Sequence, residues 1–468
     1  MNNTEKPQGF TQTLMRGGKA LITPPQGLHM ADMIAMGCIM VSCFLLFKIR
    51  DVDFAASFSN AFWEGHFFDF YKFNKTAPGV SPLYPLPLYL LLALWNMPLQ
   101  LFGLIDRSTA ETSFFLSRET QLAWIKLLLL LFFALCSVTI YKIARLVAQD
   151  DGPAKLCAFL FVSNPLVIYT IFISGGYDIF ALTFMMLGLH AFLQHKRREF
   201  ILWFALAAVF QYYALLPFVP LLLLDEKKAL KILRGLLAGI APALVFFILA
   251  RLDRGAGTGG DPGNFGKILQ AFPLRIGPMM MPVFFALGYL AICVFAQIKR
   301  TGDDMRERQK YAALLPLATM SLLFVYMTQD MKWLILTAPW LTLAFLFSPN
   351  RTFSLLFETV GMAALFMRVL YSSQQLHPPT SVLPYVDVVT LIWLLSPFLL
   401  QFLQRKESAW PEPGLFKSEA GYIRLRCYGA LAVYLLPVAF ERIGMAWFPI
   451  TLYRITAAIS SSGTAPVG

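Results

Sequence analysis

The sequence predicts an all-α fold: a polytopic helical membrane protein with about 13 transmembrane helices. Only 14% of the 468 residues are charged and 57% are hydrophobic, whereas a soluble domain carries about 25% charged residues to wet its surface. Apolar runs of about 20 residues, the length that crosses a bilayer as a helix, recur along the whole chain. Together these features exclude a soluble enzyme, a disordered chain and a disulfide-stabilised scaffold.

The apolar runs place the predicted spans in order. The first run begins near His29, after a polar segment, so no cleavable signal peptide is expected. The run 200–224 is expected to form a broken hairpin, because Gln211-Tyr212-Tyr213 interrupts it. The predicted spans are 30–49, 121–141, 156–173, 178–194, 200–211 with 212–224, 231–250, 280–298, 311–327, 333–348, 352–371, 384–404 and 426–448.

The basic residues predict the orientation. Lys and Arg concentrate in the cytoplasmic loops of membrane proteins. The proline-containing run 83–105 decides the count. If this run does not cross the membrane, most of the 39 Lys and Arg residues lie on the same side as the N-terminus. If that run crossed, the clusters around Lys142, Lys196 and Arg300 would move outside. We therefore expect a cytoplasmic N-terminus, with 83–105 lying along or dipping into the outer leaflet.

This orientation leaves two large non-cytoplasmic segments, 50–120 and 251–279, the first with interfacial helices. It predicts a catalytic transmembrane module over 1–250, which includes the outward loop 50–120. Residues 251–468 would supply the second outward loop and variable C-terminal transmembrane helices. The net charge of +12 suits cytoplasmic loops that contact anionic lipid headgroups. Membrane lipids are therefore expected partners, and nucleic acid is not.

Two carboxylates, Asp51 and Asp53, follow the first span at the water boundary. They either mark the end of a helix or form a general base or a metal-holding pair at the mouth of an outward cavity. The aromatic-rich run 54–75 comes next and suits a helix lying in the membrane interface. Tyr84-Pro85 then opens the run that is expected not to cross.

The order of these motifs resembles the GT-C class of membrane glycosyltransferases, which use polyprenyl-phosphate sugars. In that class an Asp-containing motif ends the first span, and an interfacial helix and a Tyr-Pro-Pro or His-Pro-Pro segment follow. The Asp51-Val52-Asp53 form most resembles the GPI mannosyltransferase I branch and its bacterial relatives. Two later segments are similar to class motifs in the same order: Ser163-Asn164-Pro165 with Ser174-Gly175-Gly176-Tyr177-Asp178, and Tyr326-Met327-Thr328-Gln329-Asp330-Met331-Lys332-Trp333 with Pro339-Trp340. In the latter, Asp330-Met331-Lys332 replaces the aromatic pair that is usual in the class. The resemblance is carried mainly by 50–200.

The resemblance implies inverting transfer of a sugar from a polyprenyl-phosphate-sugar donor to an acceptor hydroxyl on the non-cytoplasmic face. The acceptor would be a glycolipid, a polysaccharide or a lipid-linked glycan. Asp51 or Asp53 would be the general base, and Asp178 would hold acceptor hydroxyls or a divalent cation, Mg or Mn; whether a metal takes part stays open. The implied donor-phosphate ligands are Lys126, Lys332 and Arg368. The implied substrate contacts are Tyr84, Tyr177, Gln329 and Asp330.

Alternative interpretations remain at this point. Lys126 and Arg368 lie near predicted span ends, where basic side chains also snorkel to the headgroups. A transporter or flippase would place charges near the bilayer midplane and show two related halves, whereas the chain has acids at the outer rim and no evident repeat. A catalytically silent, lipid-binding subunit is a third alternative. Short loops and the lack of a retention signal favour a bacterial inner membrane over the endoplasmic reticulum.

Overall fold

The structure, a computed structural model, is helical throughout the part of the chain that it describes. That part consists of residues 23–25, 27–46, 55–74, 84–104, 118–173, 175–253, 280–299, 304–326, 331–348, 351–372, 392–393, 395–398 and 420–429. These residues form helices, turns and connecting segments and no strand. The all-α prediction is confirmed for them.

The α-helices of the described residues whose bounds are defined are numbered in chain order. They are α1 (Met30–Leu46), α2 (Phe70–Asn74), α3 (Leu86–Leu101), α4 (Arg118–Ala148), α5 (Asp151–Val162), α6 (Pro165–Ile168), α7 (Asp178–Leu193), α8 (Arg197–Phe210), α9 (Leu215–Asp225), α10 (Ala229–Leu252), α11 (Met280–Ile298), α12 (Met305–Tyr326), α13 (Ala338–Phe345) and α14 (Arg351–Ser372). Shorter 3₁₀ and π segments occupy Ser59–Phe62, Tyr169–Ile173, Tyr212–Ala214 and Met331–Thr337. Residues 55–58, 392–393, 395–398 and 420–429 are also helical.

A few of the described helices are long and apolar enough to cross a membrane. Two qualify by themselves: Ala123–Ala148 within α4, and α10. A third span results if Asp151–Val162 and Pro165–Ile173, which meet at a bend of 46°, are taken together. These helices are compatible with a membrane protein, and the count of 13 spans stays a prediction.

Prolines and one extended residue set the helix boundaries around the candidate site. Pro85 precedes α3 in an extended conformation, and a proline in the first turn of that helix needs no intrahelical N–H partner. Pro165 begins α6 after the break that follows α5. Between α8 and the next 3₁₀ turn, Gln211 is extended, with φ −151° and ψ 111°. The interruption predicted at Gln211-Tyr212-Tyr213 is therefore present.

The chain divides into two compact units. The first consists of Met1–Met30, Phe47–Val162 and Leu166–Phe347, and the second of Ala31–Leu46, Ser163–Pro165 and Ser348–Gly468. In the first unit, α7 packs against α4 and α8, and α8 also packs against α10. In the second unit, Trp393 is buried against Gly361 of α14.

Two glycines allow close helix contacts in the first unit. A Cβ atom added to Gly188 of α7 would lie 2.5 Å from a ring carbon of Phe204 on α8. A Cβ added to Gly239 of α10 would lie 2.5 Å from a ring carbon of Phe218 on α9. Both rings are fully buried, so a larger residue at either glycine would force these helices apart.

Candidate functional site

Asp178 is the centre of the candidate site in the first unit. It is the first residue of α7 and is only 7% exposed. The turn before it needs glycine: Gly175 has φ +68°, and a Cβ on Gly176 would lie 2.5 Å from the Thr170 side chain. The Gly176 N–H donates to the Thr170 carbonyl at 2.7 Å. This tight turn fixes where the helix begins and therefore where the carboxylate lies.

Gln211 holds the Asp178 carboxylate from a second element. Its Nε2 donates a hydrogen bond to Asp178 Oδ1 at 2.7 Å. Because Gln211 is half-buried and lies at the break after α8, its side chain can leave the helix axis and reach α7. The start of a helix carries partial positive charge, and an amide donor adds to it.

Aromatic side chains form one wall beside Asp178. The rings of Tyr84 and Tyr177 meet edge to face, with centroids 5.1 Å apart. The Tyr71 hydroxyl donates to the Tyr84 carbonyl at 2.8 Å, and the Tyr89 hydroxyl accepts from the Tyr84 N–H at 3.2 Å. Tyr84 is therefore held at both backbone groups, and its ring is half-buried. Tyr84 thus contacts Tyr177, the residue that precedes Asp178 in the chain; that the three residues form one substrate site stays a prediction.

The hydroxyl of Tyr71 serves to hold the Tyr84 backbone. Burial raises its pKa above the ordinary value of 10, and the neighbouring Tyr89, Tyr212 and Asp253 raise it further. The hydroxyl therefore stays protonated and continues to donate to Tyr84 over the physiological pH range. It acts as a support for the wall and not as a base.

Tyr213 and Trp333 form a second aromatic pair in the first unit. Tyr213 is within electrostatic range of Asp178, and its ring centroid lies 5.9 Å from that of Trp333. Both rings are half-buried. The site thus combines one buried carboxylate, one amide and several partly exposed aromatic faces. Carboxylates, amides and aromatic rings are the kinds of side chain that bind the hydroxyl groups and apolar faces of small ligands where they line one pocket.

Lys126 has a defined partner in the structure. Its side chain is 3% exposed, and Nζ donates to the carbonyl of Phe172 at 3.1 Å. This carbonyl belongs to the π segment Tyr169–Ile173, which leads into the turn before Asp178. Lys126 therefore helps to fix the segment that carries the carboxylate, and a phosphate would have to share its ammonium group with this carbonyl.

The structure does not describe the side chains of the other predicted site residues. Asp51, Asp53, Gln329 and Asp330 lie outside the described residues. Lys332 begins the 3₁₀ segment with Met331, and Arg368 lies in α14, but the side chains of Lys332 and Arg368 are outside the described part. Whether the predicted acidic pair meets Asp178 therefore stays a prediction.

A divalent cation is not assigned to this site. Among the described residues, no group of three or more His, Cys, Asp or Glu side chains is arranged to hold a metal ion. Mg²⁺ is usually held by one or two carboxylates plus waters and substrate phosphates. Asp178 is one carboxylate, and its Oδ1 already accepts from an amide, so the described residues do not by themselves form such a site.

Asp253 is a structural residue that the sequence did not reveal. It follows α10, is 7% exposed, and accepts from the backbone N–H groups of Tyr71 at 2.5 Å and Lys72 at 3.2 Å. These contacts join residues more than 180 positions apart. Asp253 thus anchors the aromatic segment that supports Tyr84, and no spacing rule could have paired them.

A separate buried charge cluster lies within the second unit. Arg426 is 1% exposed; its Nη2 donates to Glu358 Oε1 at 2.9 Å and its Nη1 to Ser163 Oγ at 3.0 Å. Asn164 Nδ2 donates to the same glutamate oxygen at 3.0 Å. Ser163 and Asn164 of the motif Ser163-Asn164-Pro165 therefore contribute their side chains to this cluster. Sequence analysis did not pair the glutamate with the arginine, because they are 68 residues apart and lie in different predicted spans.

In comparisons with known proteins, no family model, curated protein or solved structure matches the chain.

Proposed function

We propose that the chain is a membrane glycosyltransferase. It would transfer a sugar, with inversion, from a polyprenyl-phosphate donor to an acceptor hydroxyl on the non-cytoplasmic face. The supporting observation is the buried Asp178 carboxylate, which Gln211 orients, together with two nearby aromatic pairs: Tyr84 against Tyr177, the residue before Asp178, and Tyr213, which interacts electrostatically with Asp178, against Trp333. A positioned carboxylate among aromatic faces is a suitable arrangement for binding a hydroxyl-rich ligand.

The proposed reaction is a single displacement at the sugar C1. The acceptor oxygen forms a bond to C1 while the C1–O bond to the phosphate breaks, and the electron pair leaves with the lipid phosphate. The acceptor proton passes to Asp51 or Asp53 as general base. Asp178 orients the acceptor hydroxyls. Lys126, Lys332 and Arg368 are the proposed cations that stabilise the charge developing on the departing phosphate.

The proposed topology has about 13 spans, a cytoplasmic N-terminus and the site on the outer face, in a bacterial inner membrane. It is tested with single cysteines placed at Ser81 and at Ser108 in a cysteine-free background. An impermeant thiol reagent added from outside should label both positions, because 83–105 does not cross. Labelling at position 81 without labelling at position 108 would exclude this topology.

The activity is tested with purified protein in nanodiscs and a short-chain polyprenyl-phosphate mannose as donor. The wild type should release polyprenyl phosphate when an acceptor glycolipid is present, and Asp178→Asn should reduce that release. Asp150→Asn is the matched control, because Asp150 is an exposed acid away from the site. Donor binding without release in the wild type would support a silent lipid-binding subunit instead.

A transporter or flippase is the second candidate, and the buried Glu358–Arg426 pair favours it. The pair lies with Asn164 in the second unit, and ionisable residues inside membranes often mark transport pathways. A liposome assay of polyprenyl-phosphate lipid translocation separates the two candidates. Translocation by the wild type, lost in Glu358→Gln, together with no sugar transfer, would support the transporter.

A further inference from the structure

The first turns of α10 carry an exposed surface that combines cations and leucines. Only 22% of the apolar stretch of α10 is buried. Leu230, Leu233 and Leu237 are more than half exposed. Lys228, which precedes the helix, and Lys231 and Arg234 within it are exposed as well. Positively charged groups and apolar side chains therefore lie side by side at one end of a membrane-capable helix.

The three cations follow one another at a spacing of three residues. Lys231 and Arg234 are therefore neighbours on the helix surface, and Lys228 is the residue directly before the helix, with an extended backbone. The leucines lie on the adjoining side and continue toward the middle of the helix. An elongated ligand with a negative end and an apolar body matches this order.

The charged groups next to this surface form contacts within the protein. Glu226 forms an ion pair with Arg197 and accepts from the backbone N–H groups of Lys227 and Lys228. The Lys227 ammonium donates to carbonyls of two other segments, Leu223 and Ala296. Glu226 is therefore neutralised by Arg197, and the Lys227 ammonium is bound within the protein.

The side chains of Lys228 and Arg234 differ from these neighbours. Within the described part of the chain, neither side chain makes a hydrogen bond or an ion pair, and Lys231 lies 3.7 Å from Glu226 while remaining 55% exposed. The excess positive charge at this surface therefore remains available to an anion outside the protein.

We propose that this surface, Lys228 to Leu237, binds an anionic phospholipid. The phosphate lies between Lys228 and Arg234, and the acyl chains pack along the exposed leucines. Charge complementarity selects the lipid, because a zwitterionic lipid offers a weaker net attraction to the cations. In the predicted topology this end of α10 faces the cytoplasm, where the anionic lipids of a membrane attract basic segments. The proposal does not depend on the glycosyltransferase activity.

The test titrates the full-length protein in detergent with phosphatidylglycerol or phosphatidylcholine of identical acyl chains and counts bound lipids by native mass spectrometry. The wild type should bind the first phosphatidylglycerol about 10-fold to 30-fold more tightly than phosphatidylcholine, as expected for two cations. The double variant Lys228→Gln with Arg234→Gln should bind both lipids equally. The charge-preserving double variant Lys228→Arg with Arg234→Lys should keep the preference of the wild type.

The matched control is Arg306→Gln with Lys310→Gln at the start of α12. It removes the same charge on the same predicted side of the membrane and should keep the preference for phosphatidylglycerol. The proposal is overturned if the Lys228 and Arg234 glutamine variant keeps the preference, or if the control loses it equally. Loss of the preference in the charge-preserving variant would also overturn it.

Discussion

Gln211 Nε2 donates a 2.7 Å hydrogen bond to Oδ1 of Asp178, although 33 residues separate the two along the chain. The contact exists because α8 stops at Phe210 and leaves Gln211 in an extended conformation. A continuous helix through 211 would carry this side chain on a helical face, where its direction is set by the turn below it. The helix break and the orientation of the carboxylate are therefore linked.

Gln211→Ala should lower kcat for sugar transfer by about 10-fold to 100-fold, the size of effect that misplacing a reacting group can have. The donor KM should change little, because Gln211 contacts the carboxylate and not the donor phosphate. Gln211→Glu should be at least as harmful, since it replaces a donor with a second negative charge. Steady-state kinetics against donor concentration separate the two parameters.

Gln194→Ala is the control for this prediction. Gln194 ends the same helix, α7, is exposed, and contacts only His190 among the side-chain partners described for it. It should keep wild-type kinetics. An unchanged kcat in Gln211→Ala would show that the hydrogen bond to Asp178 has no role in transfer.

Asp51→Asn or Asp53→Asn should abolish transfer while expression and folding stay intact. Loss of a positioned general base typically lowers a rate by about 10² to 10⁴, and a charge at the water boundary contributes little to stability. The matched control is Asp69→Asn, an exposed acid in the same outward segment that pairs with His66. If both single variants of the pair retain near-full activity, the base lies elsewhere.

Local sequence features predicted part of this structure well. Low charge and recurring apolar runs indicated helices, and the described residues form helices joined by turns and short connecting segments, with no strand. Gln211-Tyr212-Tyr213 indicated a break because polar and aromatic residues interrupt an apolar run, and the break is present. In both cases the signal lies within the segment whose structure it specifies.

Long-range partners could not be predicted in the same way. Asp253 bonds to backbone groups 181 and 182 positions away, and any polar side chain could have been its partner from the sequence alone. The same holds for Glu358 and Arg426, which are 68 residues apart. Other ionisable residues, Arg368 and Arg424 among them, lie in or beside the same apolar runs, and only the packing of helices shows that Glu358 and Arg426 form the ion pair.

Arg426→Met should destabilise the protein by about 3–5 kcal/mol, because it leaves the Glu358 charge buried without its ion-pair partner. Thermal unfolding in detergent measures the effect. The double variant Glu358→Gln with Arg426→Met should regain much of the lost stability, since no unpaired charge is left behind. If the loss of stability in the double variant equals the sum of the losses in Glu358→Gln and Arg426→Met, the two residues are not energetically coupled and the prediction is contradicted.

Glu226 should make stability depend on acid pH. The backbone N–H of Lys228 is the main cause that lowers the pKa of Glu226 from 4.5 to about 2, and Arg197 and Lys231 lower it further. A lowered pKa in the folded state stabilises the fold at pH values above 4.5, and this contribution is lost as the pH falls from 4.5 toward 2. Glu226→Gln should therefore lower Tm at pH 7 and differ little from the wild type near pH 2.

Glu199→Gln is the control for this pH dependence, because Glu199 is 52% exposed and lies 3.6 Å from Lys196. Exposed pairs of this kind contribute little, so its Tm should follow that of the wild type at every pH. A Tm difference between Glu226→Gln and the wild type that persists unchanged near pH 2 would contradict the assignment.

The last prediction concerns the cations proposed to hold the donor phosphate. Lys126→Gln, Lys332→Gln and Arg368→Gln should each raise the donor KM or lower kcat, by about 10-fold to 100-fold for a lost charge-assisted hydrogen bond. Acceptor KM should stay nearly unchanged. Lys126 is the sharpest case, because its buried ammonium donates to Phe172 in the segment leading to Asp178. Lys126→Arg keeps the charge and should retain more activity than Lys126→Gln. If Lys126 only extends toward the lipid headgroups, both variants should have wild-type kinetics. Wild-type kinetics in all three glutamine variants would show that the phosphate is held elsewhere, with the arginines of the outward segment 251–279 as the next residues to replace.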